Sequence, residues 1–209
     1  GEASAGDMTA PCETRRSRLD QLRTATQSEH QAIESALGLA GADLTAATYR
    51  RVLLRFYGFY LRLEDDIRAL GGWEAYGLDL AARSKTGLLK TDLVALGVDP
   101  SGVPLCVERP RPRTRAEAFG VLYVLEGATL GGQILSRHLQ QTLGLGPVNG
   151  ARFFHGYGSR TGEMWQSFRK ALLACPMSAG EEDAMAFAAV ETFRTLREWC
   201  GQSAEGERK

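Results

Sequence analysis

Apolar side chains recur every three or four residues along most of this chain, which is the spacing of amphipathic helices. In residues 17–37 the predicted inward stripe consists of Leu19, Leu22, Thr26, Ile33 and Leu37. A second helix is predicted from the capping residue Thr45 to about Leu70, where two glycines follow. A weaker helical pattern covers residues 79–96, and a proline-rich loop comes after it.

The second half of the chain predicts three more helices. Thr114 and Glu117 have capping-box spacing and begin a long helix that ends near residue 144. A glycine-rich loop leads to a helix at about 161–174, and Ser178 with Glu181 opens the last helix, which ends near residue 201. No segment alternates apolar and polar residues as a strand does. The pattern therefore predicts an all-α, single-domain, multi-helix bundle over residues 15–201, with disordered tails at 1–14 and 202–209.

Three glycines interrupt the long helix, at Gly127, Gly131 and Gly132. Each costs about 1 kcal/mol relative to alanine inside a helix, so their presence needs a reason. Gly127 and Gly131 are one turn apart on the same face. Such a face allows either close packing of another helix or the approach of a flat ligand to the backbone.

His30 lies within the apolar stripe of the first helix, four residues after Thr26. A histidine on an inward face is more often a hydrogen-bonded core residue than a metal ligand. Glu34 follows one turn later and can reach the imidazole. A carboxylate behind a histidine is also the arrangement that orients a metal-binding imidazole, so both readings stay open.

Together these segments resemble the heme oxygenase family. The resemblance rests on residues 24–34 (TATQSEHQAIE), on residues 127–135 (GATLGGQIL) and on the later segments 152–154 and 168–169. It covers residues 18–199, and the form of residues 123–132 looks most like bacterial members associated with bacteriophytochromes. It implies that heme lies between the His30 helix and the glycine-bearing helix.

The resemblance also implies roles for individual residues. His30 would be the proximal iron ligand, with Glu34 behind it, and Gly127, Gly131 and Gly132 would form the distal wall. Arg23 and Arg169 occupy positions that suit binding of the heme propionates, although an isolated arginine is more often a solvated surface charge.

One position departs from the family pattern. Many heme oxygenases have an aspartate directly after the first distal glycine, whereas this chain has Ala128. Glu126 directly precedes Gly127, but its side chain should project about 100° away from the Gly127 direction around the helix. We therefore expect backbone groups, water or Thr129 to supply the distal hydrogen bonds. His138 is a less favoured alternative iron ligand, and His155 is expected to be a loop residue.

Composition narrows the class of protein. The chain has 25 basic and 25 acidic residues among 209, which argues against a general nucleic-acid binder. The cysteines at 12, 106, 175 and 200 form no Cys-x-x-Cys pair, so they are expected to be reduced thiols. We expect a cytoplasmic protein without a membrane span, because no apolar run reaches about 18 residues and the start lacks a signal-like core.

The expected function is oxidative cleavage of heme to biliverdin, ferrous iron and carbon monoxide. The resemblance implies three reactants, namely heme, O2 and electrons from an external donor such as a ferredoxin or a flavoprotein reductase. The product would supply a bilin to a bacteriophytochrome, or the reaction would release iron. The alternatives are a non-catalytic heme carrier or sensor, and an unrelated enzyme on the same helical fold.

Overall fold

The computed structural model describes residues 17–202, so the predicted tail at 1–14 and all but residue 202 of the predicted tail at 202–209 lie outside the described residues. The described residues form eight α-helices: α1 (Arg18–Leu37), α2 (Ala46–Ala69), α3 (Leu80–Arg83), α4 (Thr86–Ala95), α5 (Arg115–Leu143), α6 (Arg152–His155), α7 (Thr161–Ala174) and α8 (Ala179–Gly201). Short 3-10 turns occur at Trp73–Tyr76, Pro100–Gly102 and Gly158–Arg160. Within the described residues there is no strand, which confirms the all-α class.

Local sequence signals set the ends of these helices. The Ser17 hydroxyl accepts from the backbone N–H of Asp20, and the Thr45 hydroxyl accepts from that of Thr48. Both predicted capping boxes form, at the starts of α5 and α8. Helix α5 ends at Gly144, which has the left-handed φ of 67° that a glycine cap supplies without strain.

The predicted helix at 79–96 is interrupted in the structure. Helices α3 and α4 are separated by Ser84 and Lys85, and the Glu64 side chain of α2 holds this break. Glu64 accepts hydrogen bonds from the Ser84 hydroxyl (2.8 Å), the Lys85 backbone N–H (2.6 Å) and the Thr86 hydroxyl (2.7 Å). A contact from another helix therefore replaces the continuous helix that the local pattern predicted.

Helix α8 organises the core because both α1 and α5 pack along it. Helix α1 runs parallel to α8: Arg18 pairs with Glu182 at 2.9 Å near the start of both helices, and Glu29 pairs with Arg197 at 3.2 Å further along. Helix α5 comes so close to α8 that a Cβ atom on Gly120 would lie 2.1 Å from the Met185 carbonyl oxygen. This glycine is required by helix packing.

Helix α5 is also long and apolar enough to cross a membrane. In its most apolar 18-residue window, 56% is buried inside the fold. Its buried side includes Phe119, Val121, Leu122, Val124 and Leu125. These contacts are those of a core helix in a globular fold.

Candidate functional site

His30 does not point into the core, which corrects the prediction from the apolar stripe. Its side chain is 57% exposed, whereas its stripe neighbours Thr26 and Ile33 are buried. The His30 ring stacks on the Phe193 ring of α8, with centroids 5.3 Å apart. The ring is therefore held on one face and open on the other.

Glu34 lies behind His30 as the i+4 spacing predicted. The distance from Glu34 Oε1 to His30 Nε2 is 3.1 Å. A carboxylate that engages one ring nitrogen leaves the other nitrogen available for a ligand and fixes the ring orientation. The pair has the arrangement of an oriented metal-binding imidazole.

An apolar strip of α5 is exposed. Leu130 is 41% exposed and Ile134 is 71% exposed, and Gly131 lies between them. A Cβ atom on Gly131 would meet nothing within 4 Å, and one on Gly127 would meet only Trp165, at 4.0 Å. Packing against the described protein therefore does not explain these two glycines. Their bare backbone, flanked by large apolar side chains, suits a flat apolar ligand.

Gly132 has a different role from its two neighbours in the motif. It is buried, and a Cβ atom there would lie 2.8 Å from the backbone oxygen of Phe154. Close approach of the α6 backbone thus explains Gly132. The motif combines one packing glycine with two glycines on an open face.

The His30 and glycine segments lie on two helices that are linked through α8 near their starts and by a direct contact near their other ends. Near their starts, α1 and α5 both contact the first turns of α8, through Arg18 and Gly120. At the other end, the Gly41 carbonyl that follows α1 lies 2.9 Å from His138 Nε2 on α5. His30 and Gly131 each lie seven residues, about 10 Å, before Leu37 and His138 respectively. The family resemblance places heme between the middles of α1 and α5, and we call this space the slot.

The two predicted propionate ligands lie near one end of this slot. Arg18 Nη1 donates to the Leu172 carbonyl at 2.8 Å, which joins the start of α1 to the end of α7. Arg23 lies on α1 and Arg169 on α7, each within about a turn and a half of that junction. Arg23 is 77% exposed and 3.8 Å from Asp20, and Arg169 Nη1 donates to Gln166 at 3.3 Å. Neither arginine is tied into the core, so both guanidinium groups can reorient toward an anion.

The distal positions 128 and 129 face different environments. Ala128 is exposed, and no carboxylate occupies this position. Thr129 is buried, and its hydroxyl donates to the Glu126 carbonyl oxygen at 2.6 Å. Thr129 also lines a small cavity of about 10 Å³ behind the helix, which is room for roughly one water molecule. Its hydroxyl therefore lies on the interior side of α5, which differs from the predicted distal role.

A buried charge cluster behind the glycine segment was not predicted. Glu126 is 1% exposed, and its carboxylate accepts from Arg83 Nη1 at 2.6 Å and from Lys85 Nζ at 2.5 Å. The Tyr157 hydroxyl donates to the same carboxylate at 2.9 Å and accepts from Lys85 Nζ at 3.0 Å. Burial raises the pKa of Tyr157 above its usual range, and the Glu126 carboxylate adds to this shift.

The sequence carried one signal of this cluster. Glu126 interrupts an otherwise apolar run of α5, and a buried carboxylate requires cationic partners. Those partners lie 41 and 43 residues earlier in the chain, so local spacing could not identify them.

The remaining histidines have structural surroundings. His138 Nε2 contacts the Gly41 carbonyl and Nδ1 lies 3.4 Å from the Thr142 hydroxyl. His155 is exposed at the end of α6, beside Gly158. Both placements agree with the preference for His30 as the candidate ligand.

Comparison with known proteins shows similarity in both sequence and fold. The heme oxygenase family model matches residues 104–202, which contain the glycine motif and all of α5 to α8. This segment of the chain is therefore similar to the heme oxygenase family. The matched segment does not include α1, which carries His30.

The fold is similar to that of solved bacterial heme oxygenases. The NO- and CO-bound heme oxygenase of Neisseria meningitidis superposes with a TM-score of 0.75 at 22% identity, covering 90% of this chain and 94% of that one. The enzyme of Leptospira interrogans gives 0.73 at 21% identity, covering 88% and 98%. Heme oxygenase-1 of the cyanobacterium Synechocystis, solved in complex with heme, gives 0.72 at 16% identity, covering 88% and 91%. No curated protein sequence matches.

Proposed function

We propose that this protein binds heme between α1 and α5 and cleaves it oxidatively to biliverdin, ferrous iron and carbon monoxide. One observation carries the proposal: α1 presents an exposed histidine, α5 presents an exposed apolar strip with two unpacked glycines, and both helices pack against α8. Heme needs an imidazole for its iron and a narrow apolar wall for its ring, and these helices offer both.

In this proposal His30 binds the iron, and Glu34 and Phe193 keep its ring in position. Gly127 and Gly131 let the α5 backbone approach the heme face, and Leu130 and Ile134 cover the macrocycle edge. Bound heme supplies the iron at which O2 reacts. Electrons come from an external donor, for which a ferredoxin or a flavoprotein reductase is the class we propose.

Arg23 and Arg169 would hold the propionates and so fix the rotation of heme in the slot. Charge-assisted hydrogen bonds of this kind contribute about 1.5–3 kcal/mol when sheltered and much less when exposed. Because both side chains lie near the solvent, their main effect would be on orientation.

This chain has Ala128 where the resemblance to heme oxygenases leads us to expect a distal aspartate. We propose that backbone groups and water provide the distal hydrogen bonds here, since the Thr129 hydroxyl is engaged with Glu126. The remaining proposals are a cytoplasmic location and a physiological role in bilin supply to a bacteriophytochrome or in iron release.

The test is spectroscopic. Purified protein is loaded with heme, given reductant under air, and followed by absorbance. We expect the heme band to be replaced by a bilin band, with carbon monoxide trapped by ferrous myoglobin. A heme band that persists through reductant and air would instead favour the heme carrier.

A further inference from the structure

The charge cluster behind α5 lies close to the candidate slot. Glu126 directly precedes Gly127, and the cavity that Lys85 and Tyr157 line is also lined by Ala128 and Gly132. The backbone of an α-helix is about 5 Å across at its Cα atoms. The cluster and the open glycine face are therefore separated by little more than the α5 backbone.

The charges of this cluster are shielded from water. The side chains of Arg83 and Lys85 are each 4% exposed and that of Glu126 is 1% exposed. Mobile ions and water screen exposed charges, whereas buried charges act over longer distances. The Arg83 guanidinium and the Lys85 ammonium are positive and the Glu126 carboxylate is negative, so the three groups together carry one excess positive charge.

The hydrogen bonds fix where these charges sit. Lys85 Nζ donates to the Arg83 carbonyl, to the Glu126 carboxylate and to the Tyr157 hydroxyl. These three hydrogen bonds use all three protons of the Lys85 ammonium group. Arg83 also donates to the Met164 carbonyl at 3.2 Å. Glu64 is a nearby half-buried carboxylate that accepts from the 84–86 segment. It moderates the total field and is unchanged in every variant below.

We infer that the buried cluster of Arg83, Lys85 and Glu126 tunes the reduction potential of heme bound between α1 and α5. This inference rests on the proposed function, because it requires heme in the slot. Ferric heme carries one more positive charge than ferrous heme. A fixed positive charge nearby therefore favours the ferrous form and makes heme easier to reduce. The three residues act through the field across α5 and touch no reacting atom.

Charge-changing variants of nearly constant shape test this inference. The heme-loaded full chain is titrated spectroelectrochemically at about pH 6, where an isolated lysine is fully protonated. Lys85→Met removes one positive charge and should lower the ferric/ferrous midpoint. Glu126→Gln removes one negative charge and should raise it. The double variant restores the total charge of the parent, so its midpoint should return toward the parent value.

Two controls separate charge from packing. Tyr157→Phe removes a hydrogen bond of the same cluster without changing charge, and it should leave the midpoint nearly unchanged. Lys90→Met removes a cation that is exposed on α4, and water should screen its effect. If one single variant does not fold, the other single variant and the double variant still differ by one buried charge.

The outcomes distinguish this inference from the proposed function. Midpoints ordered Lys85→Met, then parent and double variant, then Glu126→Gln support it. Equal midpoints, or shifts of the same sign for both single variants, overturn it while heme binding and cleavage stand. A parent protein that takes up no histidine-ligated heme overturns both.

Discussion

The ring of Phe193 supports the ring of His30 across the α1–α8 interface, with a centroid distance of 5.3 Å and an interplanar angle of 26°. The Phe193 ring therefore restricts motion of the His30 ring at one face, while the Glu34 carboxylate holds the Nε2 atom of His30. The candidate proximal ligand is thus positioned by α8 as well as by its own helix.

Replacing Phe193 with alanine should weaken heme binding. Aromatic stacking contributes about 0.5–1.5 kcal/mol, which corresponds to a loss of roughly two- to tenfold in affinity. The measurement is heme titration followed by absorbance. Phe187→Ala is the matched control, because Phe187 lies on the same helix and is 67% exposed. Equal affinities in the two variants would contradict a supporting role for Phe193.

His30→Ala should abolish histidine-ligated heme and stop turnover, because the variant lacks the imidazole that we assign to iron. Added imidazole should restore part of the spectrum. His138→Ala and His155→Ala are the controls, and both should keep the parent heme spectrum. If instead His138→Ala loses the histidine-ligated spectrum and His30→Ala keeps it, the iron ligand is on α5.

Arg23→Ala and Arg169→Ala should each loosen the grip on heme and change the ratio of biliverdin isomers, because the propionates would no longer fix the heme rotation. Isomers are separated by chromatography after single turnover. Arg160→Ala serves as the control, since Arg160 is exposed at the start of α7 and pairs only with neighbours on that helix. Products identical to those of the parent from both Arg23 and Arg169 variants would rule out the assignment.

Gly131→Leu and Gly132→Ala should have opposite effects on stability. Leucine at 131 meets open space and gains several tenths of a kcal/mol in helix propensity, but it obstructs the distal face and should abolish heme cleavage. Alanine at 132 would lie 2.8 Å from the Phe154 backbone oxygen, and such overpacking costs about 1–3 kcal/mol. Chemical denaturation measures both free energies of unfolding. A destabilised yet fully active Gly131→Leu protein would show that position 131 is a packing contact.

Ala128→Asp should be tolerated because position 128 is exposed. We expect an unfolding free energy within about 0.5 kcal/mol of the parent, as for surface substitutions generally. The rate of heme cleavage should change, because a carboxylate would then order distal water. Single-turnover absorbance at several pH values measures that change, and a loss of folding would contradict the open placement of residue 128.

The helices could be predicted largely from the sequence because their ends are set locally. The capping boxes at Thr114 and Ser178 and the glycine after Leu143 act within a single turn. The break between α3 and α4 could not be predicted in this way, because it depends on Glu64, about 20 residues earlier.

Only part of the candidate site could be predicted, because local spacing does not show what a side chain contacts. Periodicity assigned His30 to the stripe that faces the core, yet its ring lies on the border between the core and the slot. An apolar stripe does not distinguish a side chain that contacts protein from one that would contact a flat apolar ligand. Glycine spacing likewise did not separate Gly132, which packs against α6, from Gly131, which lies open.

The packing of α1 against α8 determines when His30 becomes seated during synthesis of the chain. Helix α1, which carries His30, is synthesised well before α8, on which the His30 ring rests. Until residues near 200 have been synthesised, α1 lacks Phe193, Arg194 and Arg197 as docking partners. A nascent chain that has not yet reached the end of α8 would thus display the glycine motif without a seated histidine, and heme capture would begin only once α8 has been made.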